Sequence, residues 1–366
     1  MRISVATTTI NVPFLLEEYV KHADFFTELT GHEVIFVISG DRKTPKDAET
    51  YIYQLQQKCK SELIYLGVED QIEFLKDFKI LATHLDWDCI QRRNVSGLYS
   101  LKVKSDVVIY IDDDNYIMGG NYFTDHLNNL LSEGMQTISS KTGFYNIMSS
   151  ASGKNVGEWL FPRGYPLGQR NSKPQFEVIP NTNPIGVNAG LWIEDPDIDA
   201  ISRITARPIV EDYQIEKSFC LSIGTWTPLN SQNTSFLSNL LPAYFLSSKV
   251  GRYDDIYAGY ILQKVMNTLG YVASFGFPIV KQLRNEHDLF IDLENEFRGM
   301  RYIDSIVEFI KNIEISGSNV FEVCEKVILE MNTLVNSLPK KSEFATELKN
   351  IQLGNLLWLD ACSKYF

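Results

Sequence analysis

Four short runs rich in valine, isoleucine and tyrosine, Ile3 to Thr8, Val34 to Ser39, Glu62 to Leu66 and Val107 to Ile111, punctuate the N-terminal part of the chain. Between them the apolar positions fall into helical spacing. Phe14, Leu15, Tyr19, Phe25 and Phe26 follow the first run, and Tyr51, Leu55 and Cys59 share one face of Asp47 to Cys59, beyond a turn at Ser39-Gly40-Asp41 and Pro45. Short strands alternating with helices predict βα units and a largely parallel sheet. Open sheets of this kind bind ligands beyond the carboxyl ends of their strands. That places interest on Thr7 to Thr9, Ser39 to Asp41, Gly67 to Asp70 and Asp112 to Asp114.

Further along, Asn146 to Pro184 is rich in Gly, Ser, Asn and Pro and reads as a long irregular segment, the kind that carries function more often than it tethers. A second irregular zone, Trp226 to Gly251, leads into a helix-like run from Ile256 to Leu269, with Gly270 at the expected stop. From about Arg301 the pattern is helical throughout. Tyr302, Ile306, Phe309, Ile310 and Ile313 form one stripe, and Val320, Val323, Cys324, Val327, Ile328, Met331 and Leu334 another. Pro339-Lys340-Lys341 breaks the pattern before a last helix ending in Leu357, Trp358 and Leu359. These stripes are expected to serve as core or as contacts for a homo-oligomer. The reading is a catalytic domain over residues 1–298 and a helical extension over 299–366.

Composition narrows the partners. With 34 basic and 46 acidic side chains the net charge is −12, which argues against nucleic acid as a partner, because phosphate backbones are bound by excess lysine and arginine. A phosphate-bearing ligand would need a cation or a local arginine cluster. The five cysteines, Cys59, Cys89, Cys220, Cys324 and Cys362, are scattered and read as reduced core thiols. No basic leader with an apolar run opens the sequence, and no stretch of apolar residues is long enough to span a membrane. A cytoplasmic location is the default expectation.

The strongest chemical signal is Val107-Val108-Ile109-Tyr110-Ile111-Asp112-Asp113-Asp114, an apolar strand delivering three carboxylates at its tip. Like charges so close raise one another's pKa unless a cation is shared, and oxygen ligands of this kind suit Mg²⁺ or Mn²⁺ together with substrate phosphates. An acidic turn ahead of a helix near Gly120 is the bland alternative. Upstream, Gln91-Arg92-Arg93-Asn94 offers two arginines for diphosphate oxygens, or a solvated pair on a helix surface. Asp41 and Asp70, near strand tips, are placed to accept from a base or ribose, although aspartates in turns commonly just bend or cap the backbone. Asp254 and Asp255 open a helix, where capping accounts for one carboxylate and a general base for the other. The histidines, His22, His32, His84, His126 and His287, show no metal-spaced pair, and no P-loop, G-x-S-x-G or G-x-G-x-x-G fingerprint occurs.

Three blocks resemble the reversibly glycosylated polypeptide family, the plant-type UDP-arabinopyranose mutases, and more broadly glycosyltransferases of the GT-A fold. They are Tyr110 to Asp114, then Arg163-Gly164-Tyr165-Pro166 through Arg170 with Asn188-Ala189-Gly190-Leu191-Trp192, and Gly251-Arg252-Tyr253-Asp254-Asp255-Ile256-Tyr257-Ala258-Gly259. Their order matches the family from Asp106 to Asp292. The resemblance implies a GT-A-like, Rossmann-type mixed and mostly parallel sheet flanked by helices. It also implies a divalent metal and a UDP-sugar at the triplet, reversible glycosylation at Arg163, and a requirement for Arg170. The chain departs from the family at Leu167-Gly168-Gln169 and at Ser235-Phe236-Leu237-Ser238-Asn239, a segment expected near the sugar or acceptor.

The leading expectation is therefore a metal-dependent glycosyltransferase taking a nucleotide-diphosphate sugar as donor and a carbohydrate or other hydroxyl as acceptor. Asp112 and Asp114 would hold Mn²⁺ or Mg²⁺, while Thr7, Thr8, Asp41, Asp70, Arg92, Arg93, Asn94, Asp112 and Asp113 would bind the donor. Asp254, Asp255, Arg163 and Arg170 would carry the chemistry. A pyranose/furanose mutase that glycosylates itself at Arg163 is the runner-up, and a silent nucleotide-sugar-binding scaffold the third reading.

Overall fold

The computed structural model describes residues 1–284, 288–339 and 341–366, so His287 and Lys340 lie outside the described residues. The chain alternates as the apolar runs predict: β1 (Arg2–Thr8), α1 (Leu16–Thr30), β2 (Glu33–Ser39), α2 (Lys46–Gln56), β3 (Glu62–Leu66), α3 (Val68–Phe74), α4 (Lys79–His84), α5 (Arg93–Lys102) and β4 (Val107–Ile111). After β4 come β5 (Asn115–Ile117), α6 (Tyr122–Leu130), β6 (Gln136–Ser140), β7 (Ala151–Lys154), β8 (Phe176–Pro180), β9 (Ile185–Glu194), α7 (Ala200–Ala206), β10 (Ile209–Tyr213) and β11 (Phe219–Leu221). The rest is β12 (Asn233–Leu237), α8 (Asp254–Leu269), β13 (Val272–Gln282), α9 (Leu289–Asn312), α10 (Val320–Ser337) and α11 (Glu343–Ser363).

The strands join one sheet in the order β3-β2-β1-β4-β12-β9-β13-β11-β6-β8, with β5, β7 and β10 attached at its side. β1, β2, β3 and β4 pair in parallel, and the two longest pairings, β1 with β2 and β9 with β13, are both parallel. β12 is antiparallel to both its neighbours, β8 is antiparallel to β6, and β11 is antiparallel to β13 but parallel to β6, giving the mixed sheet. Every residue of β4 is buried, as are all but the first of β1 and β2. Helices cover both faces there, which is why these strands read as continuous apolar runs and not as alternating ones. This is the mixed α/β sheet flanked by helices that was expected.

One central strand escaped the pattern. β12 lies inside the zone read as irregular, yet it runs antiparallel between β4 and β9, with Phe236 paired to Val108 and wholly buried. Its sequence, Asn-Thr-Ser-Phe-Leu, is mostly polar, because its Ser235 and Asn233 side chains join a buried hydrogen-bond network with His126 instead of an apolar layer. The departure at Ser235 to Asn239 therefore runs from the middle of the sheet into the 3-10 turn after β12 and does not line the cavity described below.

The C-terminal helices are integral to the packing. Ile303, Ile306 and Ile310 of α9, Val323, Val327, Ile328 and Met331 of α10, and Leu348 and Trp358 of α11 are all fully buried. Residue 298 falls within α9, which continues without a break. α10 packs on α8 and α11, and the Trp358 indole N–H donates to the Leu241 carbonyl at 3.1 Å. Pro339 precedes the Ser342 cap of α11, whose side chain accepts from the Ala345 N–H. No helix among the described residues is long and apolar enough to cross a membrane. The five cysteines are unbridged, with Cys220, Cys324 and Cys362 buried.

Candidate functional site

The carboxyl end of β4 opens onto a cavity of about 310 Å³, walled by the β1 tip, the loop before α5, the turn after β4, the Arg163 loop, the turn after β9 and the start of α8. Thr8, Arg93, Asp112, Asp113, Asp114, Arg163, Asp254 and Asp255 all line it. Two acidic groups far apart in sequence thus share one chamber.

On the β4 side, Asp112 is anchored through its backbone, its N–H donating to the Gln232 carbonyl at 2.9 Å. Its carboxylate pairs with the guanidinium of Arg93, which is 1% exposed and also donates to the carbonyl and hydroxyl of Ser231 at 2.9 and 2.8 Å. Burial, and then the neighbouring Asp112, push the Asp113 carboxyl above its usual range and Asp114 up to about 6. The Asp114 Oδ1 atom is buried without a hydrogen-bond partner. Three acids crowded this way hold spare oxygen lone pairs that a cation would satisfy. Among the described residues, however, no three His, Cys, Asp or Glu side chains are grouped so as to hold a metal by themselves.

On the facing side, α8 begins with Asp254 and Asp255, both buried. Asp254 Oδ2 accepts from the Gln91 amide at 2.8 Å, and burial followed by the Asp255 charge pushes its carboxyl up to about 7. Asp255 is gripped by Arg163, whose Nη1 and Nη2 reach its two oxygens at 3.1 Å each. The other edge of Arg163 binds Asp197, Nε at 2.8 Å and Nη2 at 3.1 Å. Although burial opposes it, Arg163 holds the Asp197 carboxyl below its usual range.

The remaining predicted residues do not face the cavity. Thr7 donates to the Ile111 carbonyl at 2.9 Å and supports the strand tips from beneath. Asp41 accepts from the Arg42 and Cys89 N–H groups, shaping the loop that borders the cavity. Asp70 is exposed and accepts from the Gly67 N–H at 2.9 Å, closing the start of α3. Arg92 is buried, not solvated, bonded to Gln71 and stacked 3.8 Å from the centre of the Trp87 ring. Asn94 bridges the Gln91 and Leu246 carbonyls. Arg170 pairs with Asp199 at 2.8 Å and lies over Phe161.

Sequence reasoning passed over Gln91, Asp197, Arg252 and Arg284 as site residues, all of which line the cavity. Asp197 follows β9 and Arg284 follows β13, so the strand-end rule that singled out Asp112 would have found both had those strands been assigned. Arg252 stands within the third quoted block; its guanidinium binds Asp292 and Glu296 at 3.1 Å each.

Comparison with known proteins follows the same residues. The family model described as reversibly glycosylated polypeptide matches residues 95–359. UDP-arabinopyranose mutase 2 of Arabidopsis thaliana is 22% identical over 270 residues, covering 70% of this chain and 68% of that protein. Probable UDP-arabinopyranose mutase 1 of Pisum sativum is 24% identical over 225 residues, 58% of this chain and little more than half, 56%, of its own length. Among solved structures, glucosyl-3-phosphoglycerate synthase of Mycobacterium tuberculosis, in complex with Mn²⁺, UDP and phosphoglyceric acid, aligns over 86% of this chain and 80% of its own, with 12% identity and a TM-score of 0.42. S. aureus TarS in complex with UDP-GlcNAc aligns over 97% of this chain and 91% of its own, with 12% identity and a TM-score of 0.39. The family match runs through the acidic triplet, the Arg163 loop and the Asp254-Asp255 turn, and on that ground this chain belongs to the reversibly glycosylated polypeptide family.

Proposed function

We propose that the chain is a metal-dependent glycosyltransferase that uses a nucleotide-diphosphate sugar, with UDP as the nucleotide. The observation that carries this reading is the meeting of Asp112 to Asp114 and Asp254-Asp255 in one cavity. One acidic group suits the donor's diphosphate end and the other an incoming hydroxyl. The names of the relatives, UDP-arabinopyranose mutases, support UDP as the nucleotide.

The residues fit a divalent cation. Asp114 carries a buried oxygen without a partner, and Asp112 is held in place by Arg93. Asp112 and Asp114 would bind the ion, which when present supplies charge neutralisation for the departing diphosphate. Arg93 keeps Asp112 oriented. Asp254 takes the proton from the acceptor hydroxyl as its oxygen bonds to the sugar C1, and the C1–oxygen bond to phosphate breaks with its electron pair leaving on the nucleotide. Of the two aspartates, Asp254 is the one without an arginine on its oxygens. In this reading residues 1–298 form the donor-binding catalytic part and 299–366 the extension that buttresses it.

The second reading, a UDP-sugar mutase, is favoured by the relatives' names, and it uses the same donor cavity. Product analysis separates the two. Purified protein is incubated with UDP-arabinopyranose or UDP-glucose, with Mn²⁺, Mg²⁺ or chelator, and both thermal shift and products are recorded. Metal-dependent stabilisation with free UDP and a new glycoside supports the transferase, and a ring-isomerised nucleotide sugar supports the mutase. Stabilisation by a donor with no product formed would leave the scaffold reading in their place, and no shift with any donor would overturn all three.

A further inference from the structure

Four arginines among the described residues line the cavity, and their N–H donors are spent unequally. Arg93 is engaged by Asp112 and Ser231, Arg163 by Asp197 and Asp255, and Arg252 by Asp292 and Glu296. Arg284 differs. Its side chain is 10% exposed, yet no hydrogen bond joins its guanidinium to another group among the described residues, and its Nε atom is buried without a partner. Its ion-pair contact, from Nε to Asp195 Oδ2 at 3.5 Å, is to a carboxylate whose other oxygen is already taken by Arg203.

The sheet explains how this side chain reaches the cavity. At the end of β13, Gln282 lies opposite Asn115 of β5 on one side and Glu194 of β9 on the other. The next N–H, that of Leu283, donates to the Asp114 carbonyl at 3.0 Å. Arg284 therefore leaves the sheet between the acidic triplet and the turn after β9 that carries Asp195 and Asp197. Burial, and then the charges of Arg252 and Arg163, weigh against its positive charge, while Asp197 and Asp114 favour it. Those carboxylates balance charge across space without accepting from its N–H groups. Charge is thus largely compensated, and hydrogen bonding is not, a costly state for a group with five donors and little access to water.

A ligand oxyanion is what completes such a group. Phosphate and carboxylate present two oxygens at the spacing of a guanidinium's paired N–H groups, and the resulting charge-assisted bonds are the strong ones. A neutral hydroxyl supplies neither the second oxygen nor the charge. An anion here would also lie in the field that Arg163, Arg252 and Arg284 share, easing the repulsion among them. We infer that Arg284 is a binding residue for an oxyanion of the ligand, either a phosphate of the donor's diphosphate or a phosphate or carboxylate on the acceptor. The inference deepens the function proposed above and rests on it. Arg284 then makes the cavity select a charged ligand over a neutral one of the same shape.

Isothermal titration calorimetry in excess Mg²⁺ tests this without requiring turnover. UDP, uridine and inorganic pyrophosphate are titrated into wild type and Arg284→Gln, and inorganic phosphate is titrated into both proteins already saturated with UDP. If the oxyanion belongs to the donor, the variant binds UDP and pyrophosphate about 10- to 100-fold more weakly and uridine within about twofold of wild type. If it belongs to the acceptor, UDP binding is unchanged and phosphate binding to the UDP complex is lost. Arg284→Lys, which keeps the charge without the planar fork, should recover part of either loss. A variant that matches wild type in every titration overturns the inference, and so does one that loses uridine as severely as UDP, because the change is then a general distortion of the site. Wild-type protein that binds neither UDP nor uridine removes the proposed function. Pyrophosphate then tests Arg284 by itself, and its failure to bind wild type overturns this inference as well.

Discussion

The guanidinium of Arg93 lies directly against the Asp112 carboxylate, buried at 1% exposure beneath a carboxylate that is 20% exposed. The arginine therefore serves as the floor of the acidic triplet, fixing its first member from below while the cavity side stays open. Replacing Arg93 by alanine leaves a largely buried carboxylate unpaired and two Ser231 acceptors unbonded. Chemical denaturation should show a loss of about 3 kcal/mol. A loss below about 1 kcal/mol would mean that Asp112 finds water or another partner instead.

The pH dependence is expected to follow Asp254. Its carboxyl titrates near 4 when unfolded and at about 7 in the folded chain, because burial and then Asp255 disfavour its charged form. Between those values the folded state holds the extra proton, so this group's contribution makes stability fall as pH rises from about 4 to 7. Turnover should rise through the upper end of the same window. Asp254→Asn is expected to be more stable than wild type at pH 8 by on the order of 2 kcal/mol, and slower by about 10²- to 10⁴-fold. An unchanged rate would exclude Asp254 as the base.

Gly164 has φ of +79°, and a Cβ at this position would run into the Ile256 side chain on α8. Gly164→Ala combines backbone strain with a forced shift at the very helix that carries Asp254 and Asp255. About 2 kcal/mol should be lost. Because the adjoining Arg163 holds Asp255, kcat should drop more than donor affinity. Equal losses in both would show that the strain is absorbed elsewhere.

Trp358 on α11 is wholly buried and holds the Leu241 carbonyl, well away from the cavity. Trp358→Ala should cost about 3–5 kcal/mol in urea unfolding, with a single transition for the whole chain. Two separate transitions, with only the later residues affected, would show instead that the C-terminal helices are an autonomous unit.

The parts of this molecule that could be read from sequence are those whose burial is uniform. β1, β2 and β4 announce themselves because helices cover both faces, β3 is legible as a short apolar run although it is an edge strand and mostly half-buried, and the stop of α8 at Gly270 follows from its left-handed φ of 82°. β12 was hidden because its inward residues, Asn233 and Ser235, are polar and satisfied by His126 and Tyr122 within the core. A buried polar strand has no period to detect. The same holds for the cavity. The triplet was legible from local crowding, whereas Asp197 and Gln91 acquire their place only through partners 34 and 163 residues away. Arg92 reads as a diphosphate-binding or solvated cation because sequence shows its charge and not Trp87 stacked upon it.

The bond from Trp358 to Leu241 links positions 117 residues apart, and it has a temporal side. Chains leave the ribosome from their N-terminus, so the segment between β12 and α8 emerges long before the helix that covers it. Until α11 arrives, the surface around Leu241 is an exposed apolar patch behind the wall that bears Asp254 and Asp255. A nascent chain with its acidic triplet already in place is thus still open at the back. Closure of that back face waits for α11, and holdase chaperones should engage the chain until the helix arrives.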